Sequence, residues 1–380
     1  MKAVIAIDSL KGSLSSLEAG KAISEGIRKA MPNAEVCIRP LADGGEGTVE
    51  ALALGMDGQL ECITVTGPLG EPVECTYGVI KDTKTAIIEM SGAAGITLVA
   101  EQDRNPLNTT TYGVGEVIKN AISKGCRHFI VGIGGSATND GGIGMLQALG
   151  YGMLDKNGKQ VPFGAKGLKE LGTITDDFVI PELKECTFRI ACDVTNTLCG
   201  EQGCSAVFGP QKGATPTMIM QMDKWLAYYA KLTCEKYPHA NAKQAGTGAA
   251  GGLGFAFLAY TNAVLESGIK IVLEETKLED YIAASDIVVT GEGRLDGQTV
   301  FGKAPIGVAG LAKKHGKKVI AFSGCVTDDA AACNEHGIDA FFPILRGIQT
   351  LGEAMDSGNA RKNMINTVEQ VFRLIERFQK

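Results

Sequence analysis

The sequence predicts an α/β protein: a doubly wound parallel-sheet domain with a second α/β domain inserted, and ligand loops converging on one edge of the sheet. Three observations predict it. Short apolar, β-branched runs recur, each followed by a segment of helical period, which is the rhythm of parallel βα units. Glycines cluster directly behind those runs, and 50 of the 380 residues are glycine, almost twice the usual share of about 7 %. Two stretches, 59–90 and 150–280, break the rhythm with short strands, turns and long helices.

Taken in order, KAVIAI (2–7) reads as a strand buried on both faces. Ser15 and Glu18 form a capping box before Leu17, Ile23 and Ile27, and Pro32 ends that helix. Residues 34–39 form a second strand and 46–56 a helix. Three short strands follow in 59–90, with turns at Gly67-Pro68 and Asp82-Thr83. HFIVGI (128–133) leads into a helix near 140–149, and a long helix covers 216–236. DIVVTG (286–291) leads to a helix near 304–315, and KVIAFSG (318–324) to one near 328–336. DAFFPI (339–344) precedes two C-terminal helices. The first domain is therefore expected from 1–60, about 91–149 and about 281–380, and the inserted one from about 61–90 and about 150–280.

Composition narrows the function. A net charge of -6 without a basic block excludes a nucleic-acid or polybasic membrane footprint. No apolar run reaches the roughly 20 residues of a membrane span. The N-terminus lacks the features of a signal peptide, so a cytoplasmic location is expected. The 11 cysteines are scattered, and Cys192, Cys199 and Cys204 do not have zinc spacing, so reduced thiols are expected. The four histidines show no metal pattern, and a carboxylate is the expected acid–base group.

Six stretches carry candidate chemistry. In DSLKGSL, Asp8 and Lys11 share a strand-to-helix turn, where a lysine holds an anion or is simply solvated. In LADGGEGT, Asp43 and Glu46 flank Gly44 and Gly45, as a base, a metal ligand or a turn with its cap. GIGGSATNDGG (132–142) lacks both the Walker lysine and the Rossmann glycine spacing. It has the contents of an anion loop all the same, with Asp140 facing a ligand or capping the next helix. ACDVTN offers Asp193 to a magnesium ion, a substrate hydroxyl or an Asx-turn. GTGAAGGLGFA (246–256) is a phosphate site or a close helix contact. TGEGRLDGQT sets Glu292, Arg294 and Asp296 in one loop, as a catalytic cluster or a self-satisfied one. Together these stretches suggest phosphoryl transfer, which needs positioning and charge neutralisation more than a nucleophilic side chain.

In this order, DSLKGSL, PLADGGEGT, GIGGSATNDGG, FGPQKGAT (208–215), GAAGGLG and TGEGRLDGQT resemble the bacterial glycerate kinase family of the GarK/GlxK type, nearly end to end. The resemblance implies an enzyme that phosphorylates D-glycerate with ATP and Mg²⁺, usually at the 2-hydroxyl, built as a Rossmann- or flavodoxin-like parallel-sheet domain with a second inserted α/β domain and an active site expected in the cleft between them. The 3-hydroxyl, or another small hydroxy acid, is the alternative. It implies Asp193 or Asp43 as base, with Lys11 and Arg294 neutralising carboxylate or phosphate. Asp8, Ser13, Gly44, Gly45, Glu46, Ser136, Thr138, Asp140 and Asn196 match the substrate motifs. Gly134, Gly135, Gly248, Gly251 and Gly252 would serve ATP, and Asp296 or Glu292 the Mg²⁺. Members often carry Asp where this chain has Thr195, which leaves Asp193 as the better candidate. Glycerate and ATP are the implied partners, with no nucleic acid or membrane; a homo-oligomer is left open. A dinucleotide oxidoreductase is disfavoured, because no GxGxxG follows the first strand and no acid ends the second. A non-catalytic sensor would not need Asp43, Asp193 and Asp296 together.

Overall fold

The computed structural model describes residues 1–42 and 47–379. Their strands are β1 (Lys2–Ile5), β2 (Glu35–Ile38), β3 (Gln59–Thr66), β4 (Pro72–Ile80), β5 (Thr85–Glu89), β6 (His128–Gly132), β7 (Gly152–Leu154), β8 (Thr173–Thr175), β9 (Thr187–Ala191), β10 (Ala263–Glu266), β11 (Ile287–Leu295), β12 (Lys318–Val326) and β13 (Ala340–Pro343). The chain divides into two compact units, the second built chiefly from Asp57–Gly268.

The first unit carries an all-parallel sheet in the order β13-β12-β11-β1-β2. Renumbered within the unit this is 2-1-3-4-5, the flavodoxin-like doubly wound order, whose direction reverses between β1 and β11. Helix Ser16–Ala30 starts where expected: the Ser15 hydroxyl accepts from Glu18 N–H at 3.2 Å and the Glu18 carboxylate from Ser15 N–H at 2.8 Å. Its apolar face (Ala19, Ile23, Ile27) joins Ile5, Val289 and Phe322 of the sheet and Met364, Val368 and Phe372 of helix Ser357–Gln379 in one core. The buried Ser16 hydroxyl donates to Ile7 O at 2.6 Å and accepts from Leu41 N at 2.8 Å. One side chain thus ties the strand end, the helix start and the segment beyond β2 together.

The second unit carries a mixed sheet in the order β10-β9-β6-β5-β4-β3, parallel from β10 to β5 and antiparallel from there to β3. A small antiparallel pair, β7-β8, lies in the same unit. Its core runs from Val114, Ile118 and Phe129 through Phe188 to Leu253 and Phe257.

Three boundaries differ from the sequence reading. Residues 91–149, expected in the first domain, belong to the second unit, because β6 pairs with β5 and β9. A βα unit carries no mark of which sheet it joins, since both sheets bury the same β-branched residues. Residues 269–280, expected in the inserted domain, belong to the first unit. And β11 does not end at Gly291: it continues to Leu295 beside an equally extended β12, pairing Glu292 with Ser323 and Arg294 with Cys325.

Candidate active site

In the first unit the reversal of strand order lies between β1 and β11, where doubly wound sheets bind ligands beyond the strand ends. The segment after β1 meets the end of β11 there. Asp8 N–H donates to Gly291 O at 3.0 Å, and a Cβ on Gly293 would lie 3.4 Å from Lys11 N. Gly291 itself could carry no side chain, because its Cβ would fall 1.8 Å from the Phe322 carbonyl oxygen of β12. Asp8 is buried and its Oδ1 accepts from Ser9 N–H at 2.7 Å, whereas Lys11 is exposed. The Ser13 hydroxyl donates to Leu10 O at 2.9 Å, closing the turn that displays Lys11.

Strand alternation puts Glu292 and Arg294 on one face, with Asp296 just past the strand end. Lys303 Nζ lies 3.5 Å from Glu292 Oε2 and 3.6 Å from Asp296 Oδ1, so one ammonium spans both carboxylates. Arg294 Nε stands 3.4 Å from Asp296 Oδ2 with its side chain 65 % exposed. Thr299 Oγ1 donates to Glu292 Oε1 at 2.8 Å. Burial pushes the Glu292 carboxyl above its ordinary value, against the opposing pull of Thr299 and Lys303. Two half-sheltered carboxylates sharing a cation offer the hard oxygen donors that suit a magnesium ion, which takes few protein ligands besides phosphate oxygens. Among the described residues no cluster of three or more His, Cys, Asp or Glu side chains could hold a metal.

In the second unit the loop after β6 exposes Gly134 and Gly135 and buries everything from Ser136 to Asp140. Its outer edge is pinned by Ile96 N–H to Gly135 O at 2.8 Å and Ala137 N–H to Ala94 O at 2.9 Å. Asp140 has no exposed surface. Its Oδ2 accepts from Thr111 N–H and Oγ1–H, each at 2.9 Å, and from Gly144 N–H at 3.4 Å, while Oδ1 accepts from Gly142 N–H at 3.1 Å. Burial raises its pKa and these bonds pull it back. Asp140 therefore organises the loop from inside rather than facing a ligand.

The segment 246–252 packs against this loop. Gly141 N–H donates to Gly251 O at 2.9 Å, and Ala250, Gly251 and Gly252 all have positive φ. A Cβ on Gly251 would lie 2.1 Å from Thr138 O, and one on Gly248 would lie 2.2 Å from Thr197 O. Gly248, Gly251 and Gly252 are all buried, so the two readings of this segment resolve toward close packing. Gly251→Ala should accordingly destabilise the protein by about 2–4 kcal/mol, from overpacking plus left-handed strain. A thermal melt checks this, and an unchanged midpoint would mean the two loops are not locked together.

Asp193 follows β9 and is exposed, its Oδ1 accepting from Gly268 N–H at 3.2 Å. Nearby, Asn196 donates from Nδ2 to Gln202 O at 2.9 Å and accepts at its backbone carbonyl from Gly248 N–H at 2.9 Å. The residue that sequence reasoning missed is Lys212, in the FGPQKGAT stretch. It is 2 % exposed, and its Nζ donates to Ser136 Oγ at 2.7 Å and Thr138 O at 2.6 Å. A lysine between two glycine-bracketed turns was the available signal. Gly213, with φ +87°, would place a Cβ 2.1 Å from Arg104 O, so the backbone here is held tightly.

Among the other predicted site residues, Asp43, Gly44, Gly45 and Glu46 lie outside the described residues. Within the first unit the structure brings Glu292, Arg294 and Asp296 together and sets Lys11 beside Gly293. Within the second it joins Ser136, Thr138 and Lys212, with Gly134 and Gly135 outward. Thr138 is fully buried, and its hydroxyl has no partner among the described residues.

The model of the glycerate kinase family matches residues 3–376. A curated relative from Haemophilus influenzae, glycerate kinase, is 47 % identical over 375 residues, 99 % of either chain. Glycerate 2-kinase of Escherichia coli K12 is 49 % identical over 355 residues, 93 % of either chain. A crystal structure from Salmonella typhimurium LT2 that bears the name glycerate kinase 2 superimposes with a TM-score of 0.91 at 46 % identity, covering 100 % of this chain and 99 % of that one. Matches of this length and identity leave no part of the fold unaccounted for: the chain belongs to the glycerate kinase family.

Proposed function

We propose that this chain transfers the γ-phosphoryl group of ATP to the 2-hydroxyl of D-glycerate, giving 2-phospho-D-glycerate and ADP. The observation that carries this reading is the 49 % identity, over 93 % of both chains, to a relative named glycerate 2-kinase. The 3-hydroxyl is not favoured. ATP as the donor makes the cytoplasm the expected location.

The roles follow from chemistry. Asp193 takes the proton of the attacking hydroxyl; it is exposed and its neighbour Gly268 fixes its orientation. Lys11 and Arg294 neutralise the glycerate carboxylate or the transferring phosphoryl group as it spreads charge over its oxygens. Gly134 and Gly135 offer backbone at a loop where no side chain intervenes. Asp8 and Ser136, buried at the loop bases, and Asn196 orient the substrate. The resemblance adds Gly44, Gly45 and Glu46 to the substrate side and leaves Asp43 as the alternative base. Glu292 and Asp296 would hold Mg²⁺, with Lys303 giving way or bridging to the phosphates. Such an ion supplies charge neutralisation between the phosphates.

An enolase-coupled assay with ATP, Mg²⁺ and D-glycerate tests the reading, because enolase accepts only the 2-phosphate. Turnover without added phosphoglycerate mutase is the expected result. Turnover only with mutase would mean the 3-hydroxyl, and none in either case would mean another hydroxy acid or a sensor.

A further inference from the structure

Lys212 stands outside every role assigned above. Its ammonium is buried and makes no ion pair among the described residues. A buried charge with no counter-ion in direct contact is costly, which points to a use for it. Both of its bonds go to the glycine-rich loop, at Ser136 Oγ and Thr138 O.

The direction of these bonds matters. An ammonium donates and cannot accept. Ser136 Oγ is therefore the acceptor, and its own hydrogen must point at something else. Among the described residues the Ser136 hydroxyl has no protein acceptor. It sits one residue beyond the exposed Gly134 and Gly135, on a backbone pinned from the other side by Ile96 and Ala137. A hydroxyl polarised by a buried cation, beside open backbone, is a donor prepared for an anionic oxygen.

We propose that Lys212 is a positioning residue for phosphoryl transfer, which fixes Ser136 as a hydrogen-bond donor to an anionic ligand oxygen at Gly134–Gly135. This rests on the kinase reading above. The oxygen comes from an ATP phosphate or the glycerate carboxylate, and the test separates the two.

The chemistry predicts a pH dependence. Burial pulls Lys212 down to about 8. The titratable groups that face it are Asp140 of the loop and Cys204 of helix Cys204–Phe208, and both favour the charged form. The ammonium is present below its folded pKa and lost as pH rises through it, so activity that needs it falls on the alkaline side. Stability has the opposite sign. The unfolded chain keeps this proton up to its ordinary 10.5, so wild type gains on Lys212→Met as pH climbs from about 8 to 10.5.

The experiment compares the full-length wild type with Lys212→Arg, Lys212→Met and Ser136→Ala in steady state, over about pH 6.5–9.5. In wild type kcat/KM should fall above about pH 8. Lys212→Arg, whose charge does not titrate, should remove that alkaline limb at some cost in rate. Lys212→Met and Ser136→Ala should each lower kcat/KM by about 100-fold. The double variant should be no worse than Lys212→Met, because the two groups act as one chain. A raised KM for ATP assigns the oxygen to phosphate, and a raised KM for glycerate assigns it to the carboxylate. Should the Lys212 variants fail to fold, Ser136→Ala still decides: its alkaline limb should be gone. A limb that persists in Ser136→Ala, or a wild-type profile flat to about pH 9.5, overturns the proposal. If wild type does not turn over glycerate, the kinase reading fails on its own. The same pH series is then read from the stabilisation that ATP gives in thermal melts. ATP stabilisation lost above about pH 8 in wild type, but pH-independent in Ser136→Ala, upholds Lys212; any other pattern, including none, overturns it.

Discussion

Asp140→Ala should cost the protein about 3–5 kcal/mol and leave no measurable kinase activity. The carboxylate is sealed from solvent and collects Thr111 N–H, Thr111 Oγ1–H, Gly142 N–H and Gly144 N–H. Alanine strands these donors in a dry interior, and each orphan costs about 1–3 kcal/mol. The damage reaches the exposed Gly134–Gly135 edge, because the loop running from Gly134 to Gly142 is closed by this side chain. Asp140→Asn is the informative companion. Its amide oxygen can replace Oδ2, but its NH₂ then meets the Gly142 N–H, a donor facing a donor. It avoids the burial cost that raises the carboxyl pKa, so its loss should be smaller, about 1–3 kcal/mol. Urea unfolding of both variants measures this. A midpoint unchanged in Asp140→Ala, with activity lost, would mean that Asp140 works on the substrate after all.

How much of this was legible in the sequence depends on the kind of signal. The capping box at Ser15 and Glu18 and the helix 216–236 are local, and the structure has both, the latter as Pro216–Lys236. The parallel α/β class follows from the apolar runs: the first sheet is all parallel, and the second is parallel from β10 to β5. Sheet membership was not legible: HFIVG is equally content in either sheet, and only its pairing with β5 and β9 assigns it. The length of β11 was also hidden, because a strand that carries Glu292 and Arg294 reads as a loop until β12 is seen beside it. Chemistry divided in the same way. The charged group at 292–296 was visible as spacing, and the structure gathers it around Lys303. The contact of Lys212 was invisible, since nothing local says that it reaches across 76 positions to Ser136. The sequence leaves Asp140 as a residue facing a ligand or as a cap, and its burial and bonds to Thr111, Gly142 and Gly144 bring it nearer the second.

The glycines illustrate why a composition signal alone misleads. Clusters at 132–142 and 246–254 look alike as sequence, but they serve opposite ends. The first keeps Gly134 and Gly135 open at the end of a strand, while the second buries Gly248, Gly251 and Gly252 so that the backbone of the first can lie against it. Bare backbone is needed in both, once for access and once for closeness. The two glycine-rich segments are thus built as a pair, in which one member leaves backbone open and the other supports it.

Asp193→Asn should lower kcat by about 10²–10⁴ while leaving the fold intact, if Asp193 takes the proton from the glycerate hydroxyl as proposed. Asparagine is the right replacement because the bond from Gly268 N–H to Oδ1 at 3.2 Å can be made to an amide oxygen as well. The substitution removes basicity without removing shape. KM for ATP should not change, and the thermal midpoint should move by no more than about 2 °C, the shift expected for a surface exchange within about 0.5 kcal/mol. A purely structural Asp193 gives the reverse pattern: kcat within about threefold of wild type, with Asp193→Ala less stable than Asp193→Asn by the worth of a capping bond, about 1 kcal/mol. That outcome would transfer the base to Asp43, the other carboxylate that the family motifs offer. The two patterns do not overlap, because a base is measured by its proton and a cap by its oxygen, and asparagine keeps only the second.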